Sequence, residues 1–240
     1  MSSPTQAAEA HSAHGHRDVT GGALRPAVFG AMDGLVSNFA LIAGVAGAHV
    51  SAHTVALTGL AGLVAGACSM AVGEYTSVSS QTEATMAEIA VERAEIQARP
   101  RAEEAELAML YRRRGLNAEL AAEVAQVLSR DPDQVWRIHA REELGVDPDD
   151  LPSPYVAAGS SLVSFAVGAV VPLLPYLFGA RTLGVSMLLA GVGLFLLGSA
   201  VTRFTRRSWL VSGLRQLLLG AVTASVAFGI GHLFGAGGVS

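Results

Sequence analysis

Lysine is absent from this chain, cysteine occurs once and charged residues are scarce. Of its 240 residues only 15% are charged and 51% are hydrophobic, whereas soluble domains carry about 25% charged residues. A single cysteine, Cys68, excludes an intramolecular disulfide framework. Because every basic residue is arginine, we attribute the missing lysine to genome composition and draw no function from it.

Acidic residues are also missing from residues 151–240, and this absence divides the chain. Residues 81–150 hold 16 of the 20 acidic residues and 9 of the 16 arginines. We predict a disordered tail at 1–25, transmembrane helices 1 and 2 within 26–80, a cytoplasmic helical acidic metal-binding domain at 81–150, and transmembrane helices 3 to 5 within 151–240. No charged segment followed by a short apolar run opens the chain, so we expect no cleaved signal peptide.

Several apolar segments are long enough to span a bilayer, which needs about 20 helical residues. They lie at 27–50, 54–73, 155–179, 182–202 and 216–234. The last of these spans is expected to start nearer Val211, with Arg215 close to the membrane interface. A buried helix of a soluble protein is the alternative for any one of them, but so many in a small chain favour a membrane protein. The predicted fold class is therefore all-α: a polytopic membrane protein with about five transmembrane helices and a helical cytoplasmic domain inserted between the second and third.

Arginine placement predicts the orientation, because loops on the cytoplasmic side are enriched in basic residues. One predicted side holds the arginines of 81–150 together with Arg17, Arg25, Arg203, Arg206, Arg207 and Arg215. The opposite side holds Arg181 alone. We therefore place the N-terminus and residues 81–150 in the cytoplasm and the C-terminus outside.

The acidic block is predicted to be helical at 83–97, 103–114, 118–128 and 133–143, with the first of these helices able to continue the second span. Pro100 separates the first two, Gly115 is a candidate C-cap and Asn117 a candidate N-cap. Residues 147–154 are rich in proline and aspartate and form a linker to the third span.

Asp33 lies inside the first predicted span, where ionisable groups are costly and often mark ion paths. The alternative is an aspartate near the helix end, satisfied by backbone amides next to Gly34. Met70 and Glu74 are four residues apart and share one helix face. A thioether with a carboxylate suits a transition metal better than Mg²⁺ or Ca²⁺, although a lone methionine in a membrane helix usually serves packing.

In the acidic block, glutamates recur at spacings of three and four residues, where like charges repel and a cation would relieve the repulsion. The groups are Glu88, Glu92 and Glu95; Glu103 and Glu106; and Glu142 and Glu143, one turn after His139. The alternative is a solvated acidic face partnered by Arg93, Arg99 and Arg101. His139 could equally be a surface histidine.

Two further patterns weigh on the function. A ferritin-like di-iron centre would need Glu-x-x-His on paired helices, and this chain has only the reversed order His139-Ala140-Arg141-Glu142. This pattern argues against an oxidase, and we predict that the protein is not an enzyme. In the tail, His11, His14 and His16 could bind metal weakly, but a flexible tail without a ligand role is favoured.

Residues 33–41, Asp-Gly-Leu-Val-Ser-Asn-Phe-Ala-Leu, and 69–75, Ser-Met-Ala-Val-Gly-Glu-Tyr, resemble the two signature segments of the vacuolar iron transporter family. The resemblance extends over roughly 25–235. It implies a five-helix dimer that exchanges cytosolic Fe²⁺ for protons, with Asp33 and Met70 lining the pore near the dimer axis. It also implies that cytoplasmic metal-binding carboxylates are present, matched here by Glu92, Glu95, Glu103, Glu106 and Glu143.

The chain departs from the family pattern at two places. Eukaryotic members have methionines where this chain has His139 and Ala140, which changes the ligand set and bears on metal preference. Eukaryotic members also often lack the acid found here as Glu74. A bacterial member would place the protein in the plasma membrane instead of a vacuole.

Together these patterns predict an exporter of Fe²⁺ or Mn²⁺ that works by metal/proton antiport. The transport path is assigned to Asp33, Met70 and Glu74. The metal ligands are assigned to Glu92, Glu95, Glu103, Glu106, Glu143 and His139. We expect no cofactor beyond the transported and bound ions, no nucleic-acid partner, and contact with divalent metal ions, protons and the lipid bilayer.

Two points stay open. One alternative function is a membrane-anchored metal-binding or regulatory protein without transport, which would have no use for Asp33 and Met70. A homodimer is expected because five helices are few to enclose a polar path and because small residues on the first two spans allow close helix contact. These small residues are Gly44, Gly47, Gly59, Gly62 and Gly66.

Overall fold

The structure is a computed structural model that describes residues 22–179, 182–203 and 207–236, and within these residues it contains helices and no strand. In chain order the helices are α1 (Leu24–Gly47), α2 (Ala52–Ala98), α3 (Pro100–Arg113), α4 (Ala118–Leu128), α5 (Pro132–Glu142), α6 (Pro154–Leu177), α7 (Leu183–Ala200) and α8 (Trp209–Ala236). A single 3₁₀ turn, Val201–Arg203, follows α7. The all-α fold class is confirmed.

Five of these helices, α1, α2, α6, α7 and α8, are long and apolar enough to cross a membrane. Their apolar stretches differ in how much the chain itself buries: 39% for α1 and α6, but 17% for α2 and 11% for α8. The outward apolar side chains of α2 and α8 are therefore suited to lipid or to another protein surface. The last helix begins at Trp209, two residues before the start expected near Val211, and Arg215 lies within it.

The chain divides into two compact units, one made of residues up to Gly73 and from Val156 onward, the other of Glu74–Tyr155. We call them the bundle unit and the acidic unit. Several predictions fall outside the described residues: the first 21 residues of the predicted disordered tail with their three histidines, Arg181, Arg206 and the C-terminal Ser240. The last two residues of that predicted tail, Leu24 and Arg25, are helical, because α1 begins at Leu24.

Helix α1 supplies the centre of the bundle unit. Its side chains Leu35 and Phe39 pack with Ala190 and Leu194 of α7. One turn further along, Ile42 packs with residues of α2 and α6. Burying large apolar side chains of this kind contributes about 1.5–3 kcal/mol each in water, but in a bilayer close packing matters more than exclusion from water.

The glycines that favoured a dimer serve packing inside the chain. Gly44 and Gly47 lie against α8, Gly59 and Gly62 lie against α1 side chains, and Gly66 lies against the Phe165 ring. A Cβ atom at any of these five positions would press on a neighbouring helix of the same chain. The glycine pattern is therefore no evidence for a second copy, and the homodimer stays a prediction that rests on the small number of spans and on the family resemblance.

The acidic unit comprises the outer part of α2 with α3, α4 and α5. The second span and the first acidic helix form one helix of 47 residues, as the sequence allowed. It ends before Pro100, which takes the first turn of α3, a position where proline is tolerated. The Asn117 side chain caps α4 by accepting the Leu120 N–H at 2.8 Å, and Gly115 takes a positive φ of 106°, as predicted.

Candidate metal centre

Two helices carry the predicted glutamates of this centre toward each other. Glu92 and Glu95 lie on the last turns of α2, and Glu103 and Glu106 lie on the first turns of α3. Between them, Arg99 adopts φ −139° and ψ 56° and so leaves the helical conformation, as the residue before a proline tends to do. The single-residue break turns the chain and lets carboxylates from both helices meet.

Glu92, Glu103 and His139 form the core of the centre. Each offers one ligand atom, and these atoms lie within 4.8 Å of one another. The residues are 8%, 8% and 0% exposed, which is unusual because glutamate is almost never fully buried unless it is paired. The three side chains come from α2, α3 and α5, so the cluster exists only when the helices are assembled.

His139 lies between two carboxylates. Its Nδ1 is 2.9 Å from Oε1 of Glu92 and 2.9 Å from Oε1 of Glu143. Glu143 follows the last residue of α5, and its N–H donates to the His139 carbonyl at 2.8 Å. Gly145, at φ 67°, then closes the helix end. This ending, a common use of glycine in the left-handed region, holds the Glu143 carboxylate beside the imidazole.

Two buried polar atoms of the cluster are left without a hydrogen bond among the described residues: Glu92 Oε1 and His139 Nε2. Nδ1 of His139 is hydrogen-bonded to Glu143. The equally short approach to Glu92 Oε1 lacks hydrogen-bond geometry, because one ring N–H cannot point at both oxygens. Unpaired buried polar atoms are costly, and a bound cation with oxygen and nitrogen ligands would satisfy them.

Electrostatics in the cluster favour a cation as well. Burial, then the Glu143 carboxylate, raises the pKa of Glu92 to about 7, with Glu103 and Glu95 adding to the rise and His139 opposing it. Burial, then the neighbouring Glu106, raises the pKa of Glu103. Both glutamates are therefore reluctant to carry a negative charge together unless a positive charge joins them.

The alternative of a solvated acidic face does not hold for Glu92 and Glu103, which are buried. The arginine proposed as a partner, Arg93, lies over the Trp136 ring at 4.4 Å from its centroid. Among the described ion pairs, Glu92 meets His139, and neither Glu92 nor Glu103 meets an arginine. Glu88, Glu95 and Glu106 are exposed. Of these, Glu95 and Glu106 lie near enough for their charges to act on Glu103, so they form the rim of the centre.

Glu142 is adjacent to Glu143 in the sequence, but its side chain contacts other residues. It accepts the Tyr111 hydroxyl at 3.2 Å and forms an ion pair with Arg114. The structure thus separates two consecutive glutamates into a structural one and a candidate ligand. No spacing rule distinguishes them, because the difference depends on Tyr111 of α3 and on Arg114, which follows that helix.

The arrangement can hold a divalent transition metal ion. Carboxylate oxygens with an imidazole nitrogen suit Mn²⁺, Fe²⁺ and Zn²⁺, while Ca²⁺ and Mg²⁺ prefer oxygen ligands alone. The orphaned Glu92 and His139 atoms fit this donor set. That these residues are the protein's metal ligands remains a prediction.

The predicted path residues Asp33 and Met70 lie in the bundle unit. Asp33 is half-buried on α1, and its carbonyl accepts the Ser37 hydroxyl at 2.6 Å. The next residue, Gly34, lies against the backbone of Phe165, and Met70 packs on the cluster that contains Phe165. Both residues are therefore at the level of Phe165 in the bundle. Glu74 is half-buried on α2, one helical turn beyond Met70.

Asn38 is a buried polar residue in the bundle that the sequence interpretation did not assign to the path. It is 2% exposed, its side-chain amide donates to the Ala169 carbonyl at 2.6 Å, and its Oδ1 has no hydrogen-bond partner among the described residues. An amide inside a predicted span was the available signal, since such groups often join membrane helices.

The chain is similar to known proteins over most of its length. The model of the VIT family matches residues 24–232. The chain is 31% identical over 221 residues to vacuolar iron transporter 2 of Oryza sativa subsp. japonica, covering 90% of each chain. It is 36% identical over 223 residues to the vacuolar iron transporter of Acanthamoeba castellanii, covering 89% of this chain and 79% of that one. Vacuolar iron transporter 1 of Arabidopsis thaliana is 30% identical over 219 residues, covering 90% and 88%.

Proposed function

The chain belongs to the VIT family, and from this premise we propose that it carries Fe²⁺, or the chemically similar Mn²⁺, out of the cytosol in exchange for protons. The relatives named vacuolar iron transporters support iron as the cargo. The observation that carries the proposal is the buried Glu92–Glu103–His139 cluster, a metal-binding arrangement in a chain with five helices able to cross a membrane.

The acidic unit captures the ion. Glu92, Glu103 and Glu143 supply oxygens and His139 a nitrogen, while exposed Glu95 and Glu106 add negative charge at the rim. An entering cation removes carboxylate repulsion and pairs the orphaned atoms of Glu92 and His139. Because a ligating carboxylate must be deprotonated, metal binding here releases protons.

The bundle unit moves the ion. Asp33 is the one acidic residue in the described part of this unit, and a lone charged carboxylate in a membrane is costly. A proton or a metal ion can each neutralise it, but not both at once, so occupancy alternates between them. The Met70 sulfur adds a soft ligand that favours Fe²⁺ over Mg²⁺ and Ca²⁺. Glu74, the first residue of the acidic unit, follows Met70 by one turn of the continuous helix α2 and extends the path.

Orientation and assembly are part of the same proposal. We place the protein in the plasma membrane as a homodimer, with the N-terminus and residues 81–150 in the cytoplasm and the C-terminus outside. Ser240→Cys should then react with an impermeant maleimide on intact cells, and the mass in mild detergent should be that of two chains. Labelling only after lysis would reverse the orientation, and an active monomer would exclude the dimer.

Fe²⁺ flux in sealed proteoliposomes tests the transport proposal. With iron on the side of the acidic unit, we expect uptake of Fe²⁺ that accelerates when the opposite side is more acidic, and matching proton movement. Protein-free liposomes give the background rate. Metal binding without flux above that background would favour the alternative, a membrane-anchored metal-binding protein.

A further inference from the structure

Two histidines meet at the end of α1 that is distant from Asp33. His49 follows α1 by two residues, and His232 lies near the end of α8. Their ring centroids are 5.5 Å apart and their planes are inclined by 79°. Both residues are exposed, so the rings are accessible from outside the bundle unit.

The backbone segments that carry these two rings are in direct contact. Gly231 of α8 lies against the backbone carbonyl of Gly44, and Gly235 lies against Ala48. The helices are therefore in direct contact immediately beside both histidines. His49 itself has φ 57°, a region that costs a non-glycine residue energy and is most often occupied by glycine or asparagine.

The separation suits a shared metal ion. When two imidazoles bind one tetrahedral Zn²⁺ through nitrogens about 2.0–2.1 Å from the metal, their ring centroids are about 5 Å apart. The Phe228 ring stacks parallel to His232 at 6.4 Å and supports it from one side. Residues 34–73 and 151–240 contain no acidic residue, so the ligands offered here are imidazoles, which suit Zn²⁺, Cu²⁺, Fe²⁺ and Ni²⁺.

We propose that His49 and His232 form a second binding site for divalent transition-metal ions, carried by the bundle unit. Two protein ligands leave the other coordination positions to water, so the ion binds weakly and exchanges quickly. This chemistry differs from that of the buried carboxylate cluster. The inference goes beyond the proposed function, because binding of an ion by these histidines does not require transport.

Zinc protection against diethyl pyrocarbonate tests the site on the full-length protein in detergent. A metal-bound imidazole nitrogen has no free electron pair for the reagent, so bound Zn²⁺ slows its modification. Mass spectrometry then reports each histidine separately, whatever other sites bind zinc. The compared proteins are the wild type, H49N and H232Q. Asparagine is chosen at position 49 because it tolerates a positive φ.

In the wild type, modification of both histidines should slow together as Zn²⁺ is titrated, by about tenfold at a free concentration ten times the Kd. In H232Q the protection of His49 should disappear, and in H49N that of His232. His53, an exposed histidine in the first turn of α2, serves as the internal reference and should react at an unchanged rate.

Three results would overturn the proposal. The first is labelling of His49 and His232 at rates that Zn²⁺ does not change, which would make the ring pair an aromatic contact only. The second is protection of either histidine that survives loss of the other. The third is equal protection of His53, which would indicate unspecific zinc binding to exposed imidazoles.

Discussion

The acidic unit and the bundle unit differ in how many carboxylates they bring together. The acidic unit crowds them, with Glu92, Glu103 and Glu143 around one buried imidazole. The described part of the bundle unit has Asp33 alone. Crowded carboxylates repel until a cation arrives, which favours binding, whereas an isolated carboxylate can be neutralised by a single proton or a single ion. The proposed function therefore gives capture to the acidic unit and exchange to the bundle unit.

The largest expected effect is loss of flux in Asp33→Asn. The amide keeps the size of the side chain but cannot alternate between charged and neutral forms, so flux should fall to the rate of protein-free liposomes. Metal affinity of the acidic unit should be unchanged in calorimetry. Ser37→Ala, one helical turn away on α1, is the matched control and should transport normally. Wild-type flux that still responds to a pH gradient would make Asp33 a structural residue.

Glu92→Gln should weaken metal binding by roughly 10–100-fold, the range for losing one partner of a metal site. The same substitution should raise the melting temperature of the metal-free protein, because it removes a buried carboxylate beside Glu143 and Glu103. Calorimetry and thermal unfolding with a chelator measure the two effects on the full chain. If affinity stayed at the wild-type value, Glu92 would not be a ligand.

Metal affinity should also depend on pH because the pKa of Glu92 is about 7. From pH 8 to pH 6 the carboxyl gains a proton that the metal must displace, so affinity should fall by about tenfold. Its pKa is raised above the ordinary 4.5 by burial and by Glu143, Glu103 and Glu95, with His139 opposing the rise.

The folding stability of the metal-free protein should also depend on pH through the Glu92 carboxyl group. Since the folded state keeps the Glu92 proton to a higher pH than the unfolded chain does, stability should fall as pH rises from about 4.5 to about 7 and then level off. In Glu92→Gln both pH dependences should become shallower. An identical profile in wild type and variant would assign the titration to another group.

The smallest expected effect belongs to Glu95→Gln. Glu95 is exposed and acts on Glu92 and Glu103 through its charge. Its loss should therefore weaken metal binding by about twofold, the size of an exposed charge interaction, and high salt should cancel the difference. A loss as large as that in Glu92→Gln would show that Glu95 is a direct ligand.

Local signals in the sequence predicted the helices of the acidic unit well. Pro100, Gly115 and Asn117 each act on their own neighbours, so their effects could be read without the fold. The continuous helix α2 was also open to prediction, since no helix breaker stands between its apolar and acidic halves.

Properties that depend on packing could not be predicted in this way. Nothing local distinguishes Glu142, bound to Tyr111 and Arg114, from Glu143 beside His139. Burial of His139 requires α2, α3 and α5 together. The glycines of the first two spans correctly predicted close helix contacts, but a glycine pattern does not say which helix is the neighbour. In the structure the neighbouring helices belong to the same chain.

The division between capture and exchange is tested most directly by the iron dependence of flux in proteoliposomes containing wild type, Glu92→Gln or Asp33→Asn. The account predicts that Glu92→Gln needs more Fe²⁺ for half-maximal flux but reaches the wild-type maximum, while Asp33→Asn stays at background at every concentration. A Glu92→Gln protein without flux at saturating Fe²⁺, or an Asp33→Asn protein that reaches the wild-type maximum, would contradict it.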